Sequence, residues 1–211
     1  MSKENMREIV RSGYNKGQYD TTYARKTDIP EDFEKALCDE LIKRTKPGNK
    51  LLDLGCGVGL PHDKYFIKHG LDVTGIDISE KHIEKARENV KEAKYFVGDF
   101  FSEDIEAKYD AIVSFYAIFH IPREEHQKLL ERIHSLLNDK GIILITLGVE
   151  DMGMDTEDDF AGAKMAWSSY DSNKNKELVR KAGFEILIAS EDLREEKHLW
   201  ILAKKKLTKN I

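Results

Sequence analysis

The sequence predicts an α/β fold with a mostly parallel central sheet, because strand-like and helix-like segments alternate along most of the chain. The apolar run at 51–54 has the pattern of a strand buried on both faces. A glycine-rich turn, a helical segment and a second strand follow it. Near the end, segments 184–189 and 198–203 are strands joined by a charged loop of hairpin length, which adds one antiparallel strand.

Residues 1–45 are expected to form a helical cap segment of a single domain that covers the whole chain of 211 residues. Pro30 suits the first turn of a helix. Phe33, Leu37 and Leu41 recur every fourth residue and give that helix an apolar stripe.

From residue 50 onward, residues suited to helix ends bracket the helical segments. Gly70 ends the first, and Ser79 is a candidate N-cap of the second. Pro122 stands in the first turn of the third, and Ser172 is the candidate N-cap of the last. The predicted helices cover 60–69, 79–90, 122–137 and 172–182, and the predicted strands cover 50–54, 72–77, 94–97, 109–115 and 142–147.

The segment 148–171 carries glycine, methionine and acidic residues without a clear period. A long aperiodic stretch inside a compact domain is usually a functional loop. We therefore expect this segment to be a lid or a substrate loop.

Composition limits the partners. The net charge is −5 and the isoelectric point is about 5.9, which argues against an extended nucleic-acid surface. No apolar run approaches the roughly 18 residues of a membrane span, and the first residues lack the apolar core of a signal peptide. The two cysteines form no metal-binding or disulfide pattern, so we expect free thiols in a reducing cytoplasm. The sequence gives no indication of oligomeric state.

The glycine-rich turn indicates the kind of ligand. Gly55, Gly57 and Gly59 alternate, and glycine lets a ligand approach the backbone closely. A dinucleotide fingerprint needs glycine at its first, third and sixth positions, and the sixth position from Gly55 is Leu60. Asp53 would repel a pyrophosphate and favours a ligand with a positive ammonium group. A nicotinamide cofactor is therefore disfavoured.

The segment DLGCGVG at 53–59 resembles motif I of the class I S-adenosylmethionine-dependent methyltransferases, and GIDIS at 75–79 resembles their second motif. VGDF at 97–100, the segment 110–126 and GIILITLG at 141–148 resemble the small-molecule branch of that superfamily. The resemblance implies a Rossmann-like three-layer sandwich with a seven-stranded sheet. It also implies S-adenosylmethionine as cofactor, S-adenosylhomocysteine as product, and no metal.

The resemblance also implies residue roles in cofactor binding. Asp77 would hold the ribose hydroxyls, because one carboxylate can accept two hydrogen bonds. Asp53 would orient the amino end, and Asp99 would accept the adenine amino group. The remaining cofactor-binding candidates border the methionine part, form the adenine slot or close over the cofactor: Gly55, Gly57, Gly59, Ile78, Phe100, Ser114, Tyr19 and Tyr23.

His120 is the candidate catalytic base, since it follows the fourth strand at the ligand-binding edge of the sheet and a neutral imidazole can take a proton. The alternatives for His120 are a helix cap or packing against the cofactor. With Tyr116, Trp167 and Tyr170 it is also a candidate substrate residue, because large amphipathic side chains often wall a pocket.

The sequence thus favours a cytoplasmic methyltransferase that acts on a small molecule by in-line displacement. SFYA at 114–117 replaces the Asn-Pro-Pro-Tyr type of tetrapeptide, which disfavours amino methylation of DNA or protein glutamine. The metal-binding acids of catechol methyltransferases cannot be recognised. The alternatives are an RNA or protein methyltransferase, a non-catalytic cofactor-binding domain and a nicotinamide oxidoreductase. The acceptor atom stays open.

Overall fold

The structure is a computed structural model that describes residues 3–18, 28–29, 32–101, 105, 107–192 and 197–207, with side chains from residue 5 onward. The helices are α1 (Lys3–Lys16), α2 (Phe33–Ile42), α3 (His62–Lys68), α4 (Glu80–Asn89), α5 (His126–Leu136) and α6 (Ser172–Lys181). Short 3₁₀ turns at Ile118–His120 and Arg123–Glu125 precede α5.

Seven strands form the central sheet in the order β3-β2-β1-β4-β5-β9-β8. Their bounds are β1 (Lys50–Leu54), β2 (Asp72–Asp77), β3 (Lys94–Val97), β4 (Tyr109–Ser114), β5 (Leu137–Leu147), β8 (Phe184–Asp192) and β9 (His198–Lys205). The pairs from β3 through β5 are parallel, and β9 pairs antiparallel with both β5 and β8. The predicted seven-stranded sheet with one antiparallel strand is confirmed.

Apolar residues on the two faces of the sheet form two cores, as the alternation of side chains along β1 requires. Leu52 and Leu54 pack with Leu129 of α5 in one core. Leu51 packs with Phe66 of α3 in the other. The sheet is therefore buried between two helical layers, which confirms the three-layer sandwich.

Pro30, which was expected in the first turn of a helix, lies outside the described residues, and the described helix α2 begins at Phe33. It is capped by Asp32, whose carboxylate accepts a hydrogen bond from the N–H of Glu34 at 3.0 Å. Ser79 caps α4 as predicted, because its hydroxyl accepts from the N–H of His82 at 3.1 Å.

Two other helix starts were predicted wrongly. The third predicted helix has its α-helical part at His126–Leu136, after a 3₁₀ turn. The N-cap of α6 is Asp171 rather than Ser172, because its carboxylate accepts from the N–H groups of Asn173 and Lys174 at 2.8 and 2.9 Å. A carboxylate at this position also complements the positive end of the helix dipole.

Segment 148–171 is not an irregular loop. It contains an antiparallel two-stranded hairpin, β6 (Met152–Phe160) and β7 (Ala163–Ser169). Met165 and Ala166 of β7 pack against Met6 and Val10 of α1. The N-terminal helix and the hairpin thus cover the same edge of the sheet.

Candidate functional site

A cleft opens at the carboxyl ends of β1, β2 and β4, where the strand order of the sheet reverses. Parallel α/β sheets bind their ligands at this place. The cleft holds about 870 Å³ of empty space including its mouth, a volume suited to a small-molecule cofactor.

Each of the three positions in the turn after β1 requires glycine for a different structural reason. All have positive φ: +82° at Gly55, +54° at Gly57 and +73° at Gly59. A Cβ on Gly55 would lie 2.4 Å from Cβ of Ala117, and one on Gly59 would lie 2.5 Å from the Tyr95 hydroxyl. A Cβ on Gly57 would meet no atom within 4 Å. Gly57 lines the cleft, and the open space above it is where a ligand can approach.

Asp77 ends β2 and lines the cleft as a buried carboxylate. Its two oxygens accept hydrogen bonds from the N–H groups of Gly57 and Ser79, each at 2.9 Å. His82 lies 3.5 Å away. Burial acts to raise the pKa of Asp77, but hydrogen bonds from His82, Ser79 and Gly57 outweigh it and lower that pKa. Asp77 is therefore held ionised in a fixed orientation.

Asp53 lines the same cleft and is hydrogen-bonded to a second buried carboxyl, Asp63. The Tyr95 hydroxyl donates to Asp63 at 2.8 Å. Burial raises the pKa of Asp63 to about 6, although hydrogen bonds to Asp53 and Tyr95 oppose the shift. Two adjacent buried acids favour a cationic group in front of Asp53.

The other cofactor candidates divide by position. Ile78 and Phe100 line the cleft. Asp99 lies outside the lining, with its carboxylate 2.8 Å from Nε of Arg7. Ser114 is buried and donates its hydroxyl proton to the carbonyl of Leu54 at 2.7 Å. Gly59 also lies outside the lining, and Tyr19 and Tyr23 fall outside the described residues.

A second cavity adjoins the cleft and holds about 1120 Å³ of empty space including its mouth. Tyr14, Tyr116 and His120 line both cavities. The other lining residues of the second cavity are Phe119, Gly148, Val149, Glu150, Met152, Phe160, Trp167, Ser169, Lys197 and His198.

His120 is buried where the two cavities meet. Its Nδ1 lies 2.8 Å from the carbonyl oxygen of Ala166, and its Nε2 lies 2.7 Å from the hydroxyl of Tyr14. A carbonyl oxygen can only accept, so Nδ1 carries the proton and Nε2 accepts from Tyr14. Burial lowers the pKa of His120 to about 4, and the imidazole is neutral at pH 7.

Tyr116 has an unusual backbone for a residue with a side chain, with φ at +56°. Its N–H donates to Oγ1 of Thr146 at 2.5 Å, and its hydroxyl donates to Glu34 at 3.2 Å. Glu34 is also 2.5 Å from Nε2 of His62, which stacks on Phe115 in the cleft wall. This strained backbone at a cavity junction is typical of a functional site.

Trp167 and Tyr170, both predicted to contact the substrate, lie in different surroundings. Trp167 lines the second cavity and meets Phe160 edge to face at 5.0 Å. Tyr170 lies outside the lining of both cavities, beneath the guanidinium of Arg123 at 4.9 Å.

Tyr14 is the residue at the junction that the sequence analysis missed. It lies on α1, which is held over the cleft by Arg7–Glu125 and Arg11–Glu80 pairs, both at 2.5 Å. The available signal was the spacing of Met6, Val10 and Tyr14 by four residues, which predicts a buried helix face. His62 and Glu34 carried no such pattern and were also missed.

Within the described ranges, no helix is both long and apolar enough to span a bilayer. The same residues contain no group of three or more His, Cys, Asp or Glu side chains that could hold a metal ion.

The central part of the chain is similar to a known family of proteins. Residues 51–141 match the family model described as "Methyltransferase domain". A protein of Haemophilus influenzae described as uncharacterized is 31% identical over an alignment of length 137, which covers 61% of this chain and 53% of that protein. The chain spans about half, or less, of the length of the curated relatives it matches.

Solved structures share the architecture. A TehB-like SAM-dependent methyltransferase from Corynebacterium glutamicum superposes with a TM-score of 0.62 at 25% identity, over 80% of this chain and 87% of that chain. The 1,6-didemethyltoxoflavin-N1-methyltransferase of Burkholderia thailandensis superposes with a TM-score of 0.72 at 19% identity, over 98% and 92% of the two chains. The second likeness concerns the fold alone.

Proposed function

We propose that this chain, which belongs to the class I S-adenosylmethionine-dependent methyltransferase superfamily, transfers a methyl group from that cofactor to a small-molecule acceptor. The observation that carries the proposal is the pair of adjoining cavities that share Tyr14, Tyr116 and His120. One cavity suits the cofactor, and the other suits an acceptor brought up to it.

S-adenosylmethionine supplies a methyl group on a positively charged sulfur, so the electrophile needs no further activation by the protein. The cleft residues fit this cofactor. Open space above Gly57 admits a ligand against the backbone, and Asp77 is ionised and oriented. Asp53 offers a carboxylate to a cationic amino end.

The residue roles follow from these positions. Asp77 accepts hydrogen bonds from the two ribose hydroxyls, while Ile78 and Phe100 form the apolar slot for the adenine ring. Asp53 orients the ammonium group. A role for Asp99 in reading the adenine amino group stays a prediction, because its carboxylate is already bonded to Arg7 and to the N–H of Phe101.

The protein's contribution to methyl transfer is alignment and exclusion of water. The helix α1 covers the cleft, and the hairpin β6–β7 walls the second cavity with Trp167 and Phe160. An acceptor in the second cavity would therefore meet the cofactor only at the shared residues.

A small molecule is the favoured acceptor class for two reasons. The second cavity is bounded by side chains of the chain itself, and the overall charge is −5. The Burkholderia structure of the same fold holds 1,6-didemethyltoxoflavin together with S-adenosylhomocysteine. That protein thus uses this architecture for a small acceptor.

The test is to incubate the protein with methyl-tritiated S-adenosylmethionine and three fractions of a cell extract: small molecules, RNA and proteins. We expect label in the small-molecule fraction, and much less label with the Asp77→Ala variant when the cofactor is kept below its dissociation constant. Asp72, at the opposite end of β2, is half-exposed and pairs with Lys94, so Asp72→Ala provides the matched control. Label in RNA or protein alone would refute the small-molecule acceptor.

A further inference from the structure

Aromatic rings dominate the wall of the second cavity. Tyr14, Tyr116, Phe119, Phe160 and Trp167 all line it, and His120 and His198 add two imidazoles. Contacts between them fix their planes: Phe119 stacks on His198 with ring centroids 5.3 Å apart, and Tyr116 meets His198 edge to face at 4.8 Å. Such walls favour a flat aromatic ligand, which can stack on one ring while its edge meets another.

The charged groups among the lining residues are paired and exposed. Lys197 and Glu150 form an ion pair at 3.2 Å, with side-chain exposures of 55% and 74%. An exposed pair of this kind offers little to a buried ligand charge. The cavity therefore suits the neutral body of a ligand better than a charged one.

The polar atoms at the inner end of the cavity are the Tyr14 hydroxyl and His120. Because Nδ1–H of His120 donates to the Ala166 carbonyl, Nε2 accepts a hydrogen bond of 2.7 Å from the Tyr14 hydroxyl. The Tyr14 oxygen is then a hydrogen-bond acceptor toward a ligand. It complements a ligand that carries its own N–H or O–H.

We propose that the second cavity binds a planar aromatic acceptor with a ring-bound N–H or O–H group, and that Tyr14 takes the proton of that group while His120 positions Tyr14. This inference rests on the function proposed above and deepens it. Tyr14 is the catalytic residue, and His120 acts through it. The assignment differs from the sequence-based one, in which His120 was the base itself.

Methyl transfer moves one methyl group and one proton. A lone pair of the acceptor nitrogen or oxygen forms the new bond to the methyl carbon, and the carbon–sulfur bond breaks with its electron pair left on sulfur. The acceptor's proton moves to the Tyr14 oxygen as the Tyr14 proton moves to Nε2 of His120. The positive charge of the sulfonium ends on the imidazolium, which the Ala166 carbonyl stabilises through Nδ1–H.

The weak basicity of the buried imidazole sets the timing of the proton transfer. With its pKa lowered to about 4 by burial, His120 is too weak a base to ionise the acceptor before attack. A group that becomes strongly acidic as it is methylated can still lose its proton to Tyr14. The neighbouring groups are His82, 4.9 Å from the Tyr14 ring, and Asp77, whose charge favours a protonated His120.

The first experiment measures binding by calorimetry to the full chain saturated with S-adenosylhomocysteine. The probes are 2-naphthol, 2-naphthylamine and the saturated decahydro-2-naphthol. We expect at least one of the aromatic probes to bind roughly tenfold more tightly than the saturated one, and Trp167→Ala to remove that preference. The control Phe96→Ala removes an aromatic ring that is 55% exposed on β3, and it should change nothing.

The second experiment isolates the Tyr14 hydroxyl without relying on turnover. Wild-type protein should bind 2-naphthol roughly 3–10-fold more tightly than 2-methoxynaphthalene, which has no proton to donate. Tyr14→Phe keeps the ring and should abolish that difference. Methyl transfer to bound 2-naphthol or 2-naphthylamine, followed by mass spectrometry, should fall by about 100-fold or more in Tyr14→Phe. The probe that becomes methylated shows whether oxygen or nitrogen is the acceptor atom.

These experiments distinguish failure of the proposed function from failure of the proposed acceptor class or of the Tyr14 role. Failure to bind S-adenosylhomocysteine would overturn the proposed function. Binding of S-adenosylhomocysteine without any preference for aromatic probes would overturn the acceptor class and leave the proposed function standing. Unchanged discrimination and turnover in Tyr14→Phe would overturn the role of Tyr14.

Discussion

Removal of the Asp77 carboxylate should weaken cofactor binding and destabilise the fold by separable amounts. In the folded protein the carboxylate already accepts two hydrogen bonds at 2.9 Å, from the N–H groups of Gly57 and Ser79. A bound ribose would use its remaining lone pairs. The Asp77→Ala variant therefore loses ligand contacts and also leaves two backbone donors without their carboxylate.

The two effects have different magnitudes. Loss of charge-assisted hydrogen bonds to the ribose should cost about 1.5–3 kcal/mol of binding free energy, which raises the dissociation constant roughly 10–150-fold. Unsatisfied backbone donors should cost about 1–3 kcal/mol of folding stability, which corresponds to roughly 3–9 °C in Tm for a chain of this size.

The assay combines calorimetry with S-adenosylhomocysteine and thermal unfolding without ligand. Asp77→Asn is the informative partner variant, because its amide keeps the shape while one of the two backbone N–H groups faces an NH₂ group. Both variants should bind weakly, and Asp72→Ala should match the wild type. Unchanged affinity in Asp77→Ala would refute the assignment of Asp77 to the ribose, whatever happens to Tm.

Three further predictions concern the turn, the buried acids and the last helix. Gly57→Ala should weaken binding of S-adenosylhomocysteine in calorimetry, because its Cβ enters the open space where a ligand approaches, and positive φ adds about 1 kcal/mol of backbone strain. Gly59→Ala should chiefly lower Tm, because its Cβ clashes with the Tyr95 hydroxyl. Asp63→Asn should flatten the pH dependence of the free energy of unfolding measured in urea, because the buried acid has its pKa raised to about 6. Asp171→Ala should cost about 1 kcal/mol of stability by loss of the α6 cap, measured by the same urea titration, and Ser172→Ala should cost less.

The raised pKa of Asp63 determines how folding stability changes with pH. Its pKa is higher in the folded protein than in the unfolded chain, so its contribution to stability is fully present below about pH 4 and is lost as the pH rises to about 6. The wild type should therefore lose stability relative to Asp63→Asn as the pH rises from 4 to above 6. Identical pH profiles would refute the raised pKa. Equal losses of affinity in the two glycine variants, or of stability in the two cap variants, would refute those assignments.

The parts of the site that the sequence predicts are those built from local chain geometry. The turn at 55–59 and Asp77 lie in one βαβ unit, where a glycine pattern after the first strand and an acid at the end of the second predict a ligand site. The alternation of apolar strands and capped helices likewise determined the sheet. These signals depend on near neighbours in the chain.

The parts that were missed depend on contacts between distant segments. Tyr14 reaches His120 from an N-terminal helix, and nothing in a helical period indicates which surface the helix covers. No residue of strand β6 is fully buried, so its sequence lacks the alternation by which a half-buried strand is recognised. The hairpin that walls the second cavity was therefore expected to be a loop.

Calorimetric titration of the wild-type chain with S-adenosylhomocysteine and with NAD shows which cofactor the cleft binds. We predict saturable binding of S-adenosylhomocysteine at one site, weakened at least tenfold by Asp77→Ala, and no measurable binding of NAD. Binding of NAD with none of S-adenosylhomocysteine would contradict the account from the glycine turn onward.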